Sequence, residues 1–139
     1  MLDEIAREMG DTPDILLRLS PGIDPHTHQY IATGTIDSKF GFPLSSGEGA
    51  VAAARSASNL NLVGLHFHIG SLIFEVEPYE QAIELTLNFT AGMKQKYDFE
   101  LKELNIGGGF AIQYTSNSPA PPIGAYAEAI VSKITSQCQ

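Results

Sequence analysis

The stretch Gly64-Leu65-His66-Phe67-His68-Ile69-Gly70-Ser71 decides the fold. From Leu62 to Ile69 the alternation is that of a β-strand, with Val63, Leu65, Phe67 and Ile69 on one apolar face and Gly64, His66 and His68 on the other. One face packs and the other is free for chemistry. Gly70 and Ser71 follow at the C-terminal end of the strand, where parallel α/β proteins place their ligand sites.

Outward from this strand, helical and extended patterns alternate. Met1 to Met9 reads as a helix stopped by Gly10, with Leu2, Ile5, Ala6 and Met9 on one face, and Asp14 to Ser20 as a strand ended by Pro21-Gly22. Arg18 and Ser20 share that strand's less apolar face, so in a barrel Arg18 would point inward near the mouth, either as a structural ion-pair partner or as a functional group. The stretch from Pro21 to Leu44 holds no period and is long for a connection, which favours a functional loop. Ser45 and Glu48 have capping-box spacing ahead of the alanine-rich run from Ala50 to Ala57, a predicted helix. After the central strand, Pro78 fits the first turn of another helix, with Ala82, Leu85, Phe89 and Met93 as its predicted buried stripe. Leu101 to Ile106 is a third strand running into Gly107-Gly108-Gly109-Phe110, with Leu104 and Ile106 on the packing face and Glu103 and Asn105 on the other. Ile123 to Ile134 closes as a helix with Tyr126, Ile130 and Ile134 in register. Such alternation predicts an α/β architecture of about three βα units with parallel strands.

Length and charge limit what these units can do. At 139 residues, the chain is shorter than the ~250 residues of a complete (β/α)8 TIM barrel. A net charge of -8 argues against nucleic acid or an anionic membrane as partner. Cys138 is the one cysteine, so neither an internal disulfide nor a cysteine metal cluster can form. The N-terminus lacks a signal-peptide pattern and no apolar run would span a bilayer, so the expectation is a soluble cytoplasmic protein.

Two chemistries compete for the same residues. His66 with His68, and His26 with His28, have spacings that could ligate zinc, as in a barrel metal hydrolase, yet no carboxylate stands at the end of the third strand. Alternatively Gly107, Gly108 and Gly109 leave their backbone N–H groups open to an anion, as phosphate-cradling loops do, and Ser71 at the neighbouring strand end can add a hydroxyl. Taken without their context, such glycines more often serve a tight turn or close helix packing.

The combination resembles diaminopimelate decarboxylase. The resemblance rests on 64–71, on Leu104-Asn105-Ile106-Gly107-Gly108-Gly109-Phe110, and on 17–24 with His26-Thr27-His28, Tyr30 to Gly34 and Ser38-Lys39-Phe40-Gly41, in the family's order and across about Leu2 to Ile134. It implies a pyridoxal 5'-phosphate enzyme of the alanine-racemase-like barrel type that decarboxylates meso-diaminopimelate to L-lysine. By position, His68 resembles the histidine packed on the cofactor ring, Ser71, Gly107, Gly108 and Gly109 resemble phosphate contacts, and Arg18 resembles a barrel arginine near the cofactor. Lys39 lies in the Ser-Lys-Phe-Gly motif and does not match the family's Schiff-base lysine, which belongs to an earlier strand. That strand, the later Glu-Pro-Gly-Arg segment and the C-terminal β-domain have no counterpart here.

The expectation is therefore that residues 1–139 are an internal segment of the cofactor-binding barrel domain of a longer enzyme, inactive alone. The resemblance further implies a small amino-acid substrate and a homodimeric parent enzyme. Related decarboxylases of arginine, ornithine, carboxynorspermidine or a carrier-bound amino acid, and a non-catalytic cofactor- or partner-binding remnant, are the alternatives, with a zinc hydrolase third.

Overall fold

The computed structural model describes residues 1–23, 40–114, 117 and 119–138. His26, His28 and Lys39, on which parts of the sequence reading fall, lie outside them. Helix α1 (Leu2–Met9) leads into β1 (Asp14–Ser20); β2 (Phe42–Pro43), α2 (Leu44–Ser56), β3 (Asn61–Phe67), α3 (Glu77–Tyr97), β4 (Glu103–Asn105) and α4 (Ile123–Gln137) follow. The strands form one parallel sheet in the order β2-β1-β3-β4. The predicted βα alternation is thus present, with one strand more than the pattern suggested.

That extra strand is β2, which the sequence reading assigned to the irregular stretch. Two residues carry no periodicity, and what defines them is pairing with the end of β1, Leu19 to Phe42 and Ser20 to Pro43. Other departures have equally local causes. The β1–β3 register shifts between Ile15 and Leu16, which skips Val63 and turns Leu62 to the same buried side as Leu65. Regular pairing ends at Phe67, two residues before the predicted end, although Ile69 is still buried. The capping box does not form, because α2 begins at Leu44, directly after Pro43, leaving Ser45 inside the first turn. The Glu48 carboxylate instead accepts from Lys96 Nζ at 2.7 Å and from the Tyr97 hydroxyl at 3.0 Å, tying the start of α2 to the end of α3.

The register assigns the two sheet faces. Leu17 pairs with Leu65 and Leu19 with Phe67, and these residues meet the helices. One buried cluster joins Leu19, Leu62 and Leu65 to Val51 and Ala54 of α2 and to Met93 of α3. A second joins Phe67, Ile69 and Ile73 to Tyr79, Ala82 and Ile83 of α3 and to Tyr126 and Ile130 of α4. Each fully buried side chain of this size contributes roughly 1.5–3 kcal/mol, so the helix layer holds the strands in place. The buried face of α3 runs through Tyr79, Ala82, Ile83, Thr86, Thr90 and Met93, while Leu85 of the predicted stripe is 39% exposed. The Thr90 hydroxyl donates to the Thr86 carbonyl one turn back, at 2.8 Å, whereas the Thr86 hydroxyl is buried without a partner among the described residues.

On the opposite face Arg18, His66 and Asn105 stand side by side, one from each of three adjacent strands. Gly64 lies two residues before His66, and a β-carbon there would overlap the Glu103 carbonyl oxygen and come within 2.7 Å of Leu16 Cδ2. A bare backbone at this position lets β3 and β4 close up. No helix among the described residues is long and apolar enough to cross a membrane.

Candidate functional site

Parallel pairing brings the C-terminal ends of β3 and β4 together, and with them the two motifs. Beyond β3 the chain continues through His68, Ile69, Gly70 and Ser71; beyond β4 it turns through Gly107, Gly108 and Gly109. The two segments touch closely. A β-carbon on Gly107 would lie 2.6 Å from the Phe67 carbonyl oxygen and 2.9 Å from His68 Nδ1, and one on Gly109 would overlap the Gly70 carbonyl and sit 3.3 Å from Ser71 Cα. Gly107 and Gly109 also have φ of +72° and +98°, a region that side chains rarely adopt. Gly108 has neither constraint: nothing lies within 4 Å of where its side chain would be.

Hydrogen bonds hold this turn from several sides. The Asn105 carboxamide oxygen accepts the Gly107 N–H at 2.9 Å, an Asx-type bond that starts the turn. The Gly108 N–H points to His68 Nδ1 at 3.4 Å. An acceptor Nδ1 leaves the imidazole proton on Nε2, where it is free to be donated. Ile73 donates to the Gly109 carbonyl at 3.0 Å and accepts from Ala111 at 3.1 Å, so the segment after Ser71 is laced to the segment after the glycines. Two tyrosines complete the support. Tyr79 donates to the Gly108 carbonyl at 3.1 Å, and Tyr126 to the Ile73 carbonyl at 2.7 Å, with Phe110 packed 5.0 Å from both rings.

The residues singled out from sequence fall into two groups. His68, Ser71, Gly107, Gly108 and Gly109 converge at one point. Arg18 lies across the sheet, in register with His66, and its guanidinium rests over the Phe40 ring at 5.3 Å from the centroid. Burial, reinforced by the Arg18 charge, holds His66 below the ordinary imidazole range. Among the described residues no three histidine, cysteine or carboxylate side chains cluster as metal ligands. A cleft of about 240 Å³ beside the turn is lined by Phe110, Ile112, Ile123 and Tyr126 among others, and includes none of the predicted site residues.

Asn105, Tyr79 and Tyr126 also support the site, and the sequence signals them unequally. An Asn two positions before a glycine is a legible turn signal. The tyrosines carried none, since their rings read as core and their hydroxyl partners lie 29 and 53 residues away in the chain.

This geometry suits a phosphate-bearing group. Among the described residues the Gly109 N–H is left without a partner, Ser71 follows the adjacent strand end with a hydroxyl, and the His68 ring stands against Gly107 and Gly108.

Comparison with known proteins agrees. Residues 1–139 match the family model described as pyridoxal-dependent decarboxylase, pyridoxal binding domain. Diaminopimelate decarboxylase of Halalkalibacterium halodurans is 39% identical over 139 residues, covering 99% of this chain and 32% of the relative. That of Synechocystis is 41% identical over 138 residues, covering 99% and 29%. Among solved structures, diaminopimelate decarboxylase from M. jannaschii in co-complex with L-lysine superposes with a TM-score of 0.84 at 31% identity, over 97% of this chain and 31% of that one. The chain thus spans about a third of the length of these relatives.

Proposed function

Because the chain belongs to the pyridoxal-dependent decarboxylases, through their pyridoxal-binding domain, we propose that it forms the phosphate-anchoring part of the cofactor site in an enzyme that decarboxylates meso-diaminopimelate to L-lysine. One observation carries the reading: the His68-to-Ser71 strand end and the Gly107-to-Gly109 turn meet on adjacent parallel strands, at a separation only glycine permits. Pyridoxal phosphate, when bound, supplies the electron sink that decarboxylation requires.

The chain's own residues hold and orient. The Gly109 N–H, without a partner among the described residues, and the Ser71 hydroxyl bind the phosphate, while the Gly107 and Gly108 N–H groups hold the turn through Asn105 and His68. His68, steadied at Nδ1 by the Gly108 N–H, sets the face of its ring against the cofactor ring and keeps water from that side. Arg18, lying over Phe40 on the same sheet face as His66, contributes positive charge near the cofactor. Residues 1–139 then form part of a (β/α)8 barrel domain, with the covalent lysine and the substrate grip supplied by other parts of a longer, homodimeric enzyme. The one cysteine, Cys138, is free and exposed, which suits a reducing cytoplasm.

The test is carbon dioxide release by the full-length polypeptide with pyridoxal phosphate, offered meso-diaminopimelate, ornithine, arginine and lysine in turn. Preference for meso-diaminopimelate is the expected result. Turnover of another amino acid in its place would move the assignment to a neighbouring branch, and the isolated 139-residue chain should release none.

A further inference from the structure

The Tyr79 hydroxyl has one partner, the Gly108 carbonyl, and its ring is fully buried between Phe110, 5.0 Å away, and Tyr126, 6.0 Å away and edge-on. Packing alone would be served as well by phenylalanine. The hydroxyl therefore needs its own explanation, and the peptide it touches supplies one. In a trans peptide the carbonyl of one residue and the N–H of the next point in opposite directions. Fixing the Gly108 carbonyl toward Tyr79 thus fixes the Gly109 N–H away from the aromatic layer. Among the described residues that N–H donates to nothing, while the Gly109 carbonyl is held by Ile73 at 3.0 Å.

We propose that Tyr79 is a positioning residue for the anion cradle: its hydroxyl, held on α3, orients the Gly108–Gly109 peptide of the neighbouring βα loop so that the Gly109 N–H faces a bound phosphate. The inference rests on the reading of the glycine turn as a phosphate site. It adds that the first turn of one helix controls the donor geometry of the next strand's loop. Burial, with Tyr126 beside it, pushes the Tyr79 phenol up to about 12, so the donor is protonated at neutral pH.

Tyr79→Phe removes the hydroxyl and keeps the ring. In the full-length polypeptide, pyridoxal phosphate and pyridoxal, which lacks the phosphate, are titrated against wild type and variant. Loss of one hydrogen bond to an oriented peptide predicts roughly tenfold weaker binding of pyridoxal phosphate, with pyridoxal affinity unchanged. An unchanged preference for the phosphorylated form, or an equal loss for both ligands, would overturn the proposal and leave the phosphate site standing. Wild type with no preference for the phosphorylated form would instead remove the phosphate reading itself. Should the variant not fold, hydrogen exchange on the wild type gives the same decision. The Gly109 amide gains protection with pyridoxal phosphate and not with pyridoxal; equal protection by the two refutes the orientation.

Discussion

Gly107, Gly108 and Gly109 are adjacent and identical, yet the surroundings demand glycine at only two of them. Gly109 combines a φ of +98° with a side-chain direction that ends in the Gly70 carbonyl, so Gly109→Ala is expected to cost at least about 2 kcal/mol, read as a drop in the denaturation midpoint. Gly108→Ala meets open space and should leave stability within about 0.5 kcal/mol while weakening pyridoxal phosphate binding. A stability loss at 108 equal to that at 109 would return the triplet to a purely conformational role. His66 makes a different kind of prediction. Its folded value is depressed below the ordinary 6.5, so the unfolded chain takes up the proton first. The stabilisation is complete above pH 6.5 and fades as the pH falls from 6.5 through the folded value. Denaturation midpoints measured across that window should fall less steeply in His66→Gln than in wild type.

Elements with long apolar periods are the ones a reader of the sequence can locate. The helices α2 to α4 and the strands β1 and β3 lie close to where period and punctuation place them, because each packs apolar residues into the two buried clusters; α1 is marked by its Gly10 stop, since Leu2, Ile5 and Met9 of its predicted face are exposed and only Ala6 is buried, and β4 forms over Glu103–Asn105 alone. The two residues of β2 have no face of their own and exist only as partners of Leu19 and Ser20. The stripe of α3 illustrates a subtler limit. Helical spacing admits either Leu85 or the line through Ile83 and Thr86, and hydrophobicity favours the leucine. The neighbouring β3 and α4 decide otherwise, burying Ile83 and Thr86 completely. Ile83→Ala should therefore cost roughly 2–5 kcal/mol, and Leu85→Ala far less, in parallel unfolding experiments. Reversal of that order would mean that α3 is rotated about its axis. The same reasoning explains why the strand ends of the candidate site were legible and its tyrosine supports were not. Gly70, Ser71 and the glycine triplet announce themselves locally, whereas the reach of Tyr79 to Gly108 depends on how two βα units pack.

At the scale of the whole molecule, helices line one face of the sheet, and the other face carries Arg18, His66 and Asn105 in a row. Among the described residues β4 pairs only with β3, and large apolar side chains such as Phe42 and Phe74 remain exposed. Open strand edges with apolar neighbours seek further strands. In sedimentation velocity the isolated 139-residue chain is expected to form a spread of higher oligomers and the full-length polypeptide a single dimer; a strictly monomeric isolated chain at tens of micromolar would contradict this. The register of the sheet also has a consequence for how the molecule comes into being. Asp14 finds its partner Asn61 47 residues later, and His68 meets Gly108 after another 40. During synthesis, β1 must wait for a distant stretch of chain, and the glycine turn cannot close on its histidine until both crossings are made. Ligand capture is consequently a terminal event in folding, so added cofactor should raise the yield of refolded protein without hastening its first steps.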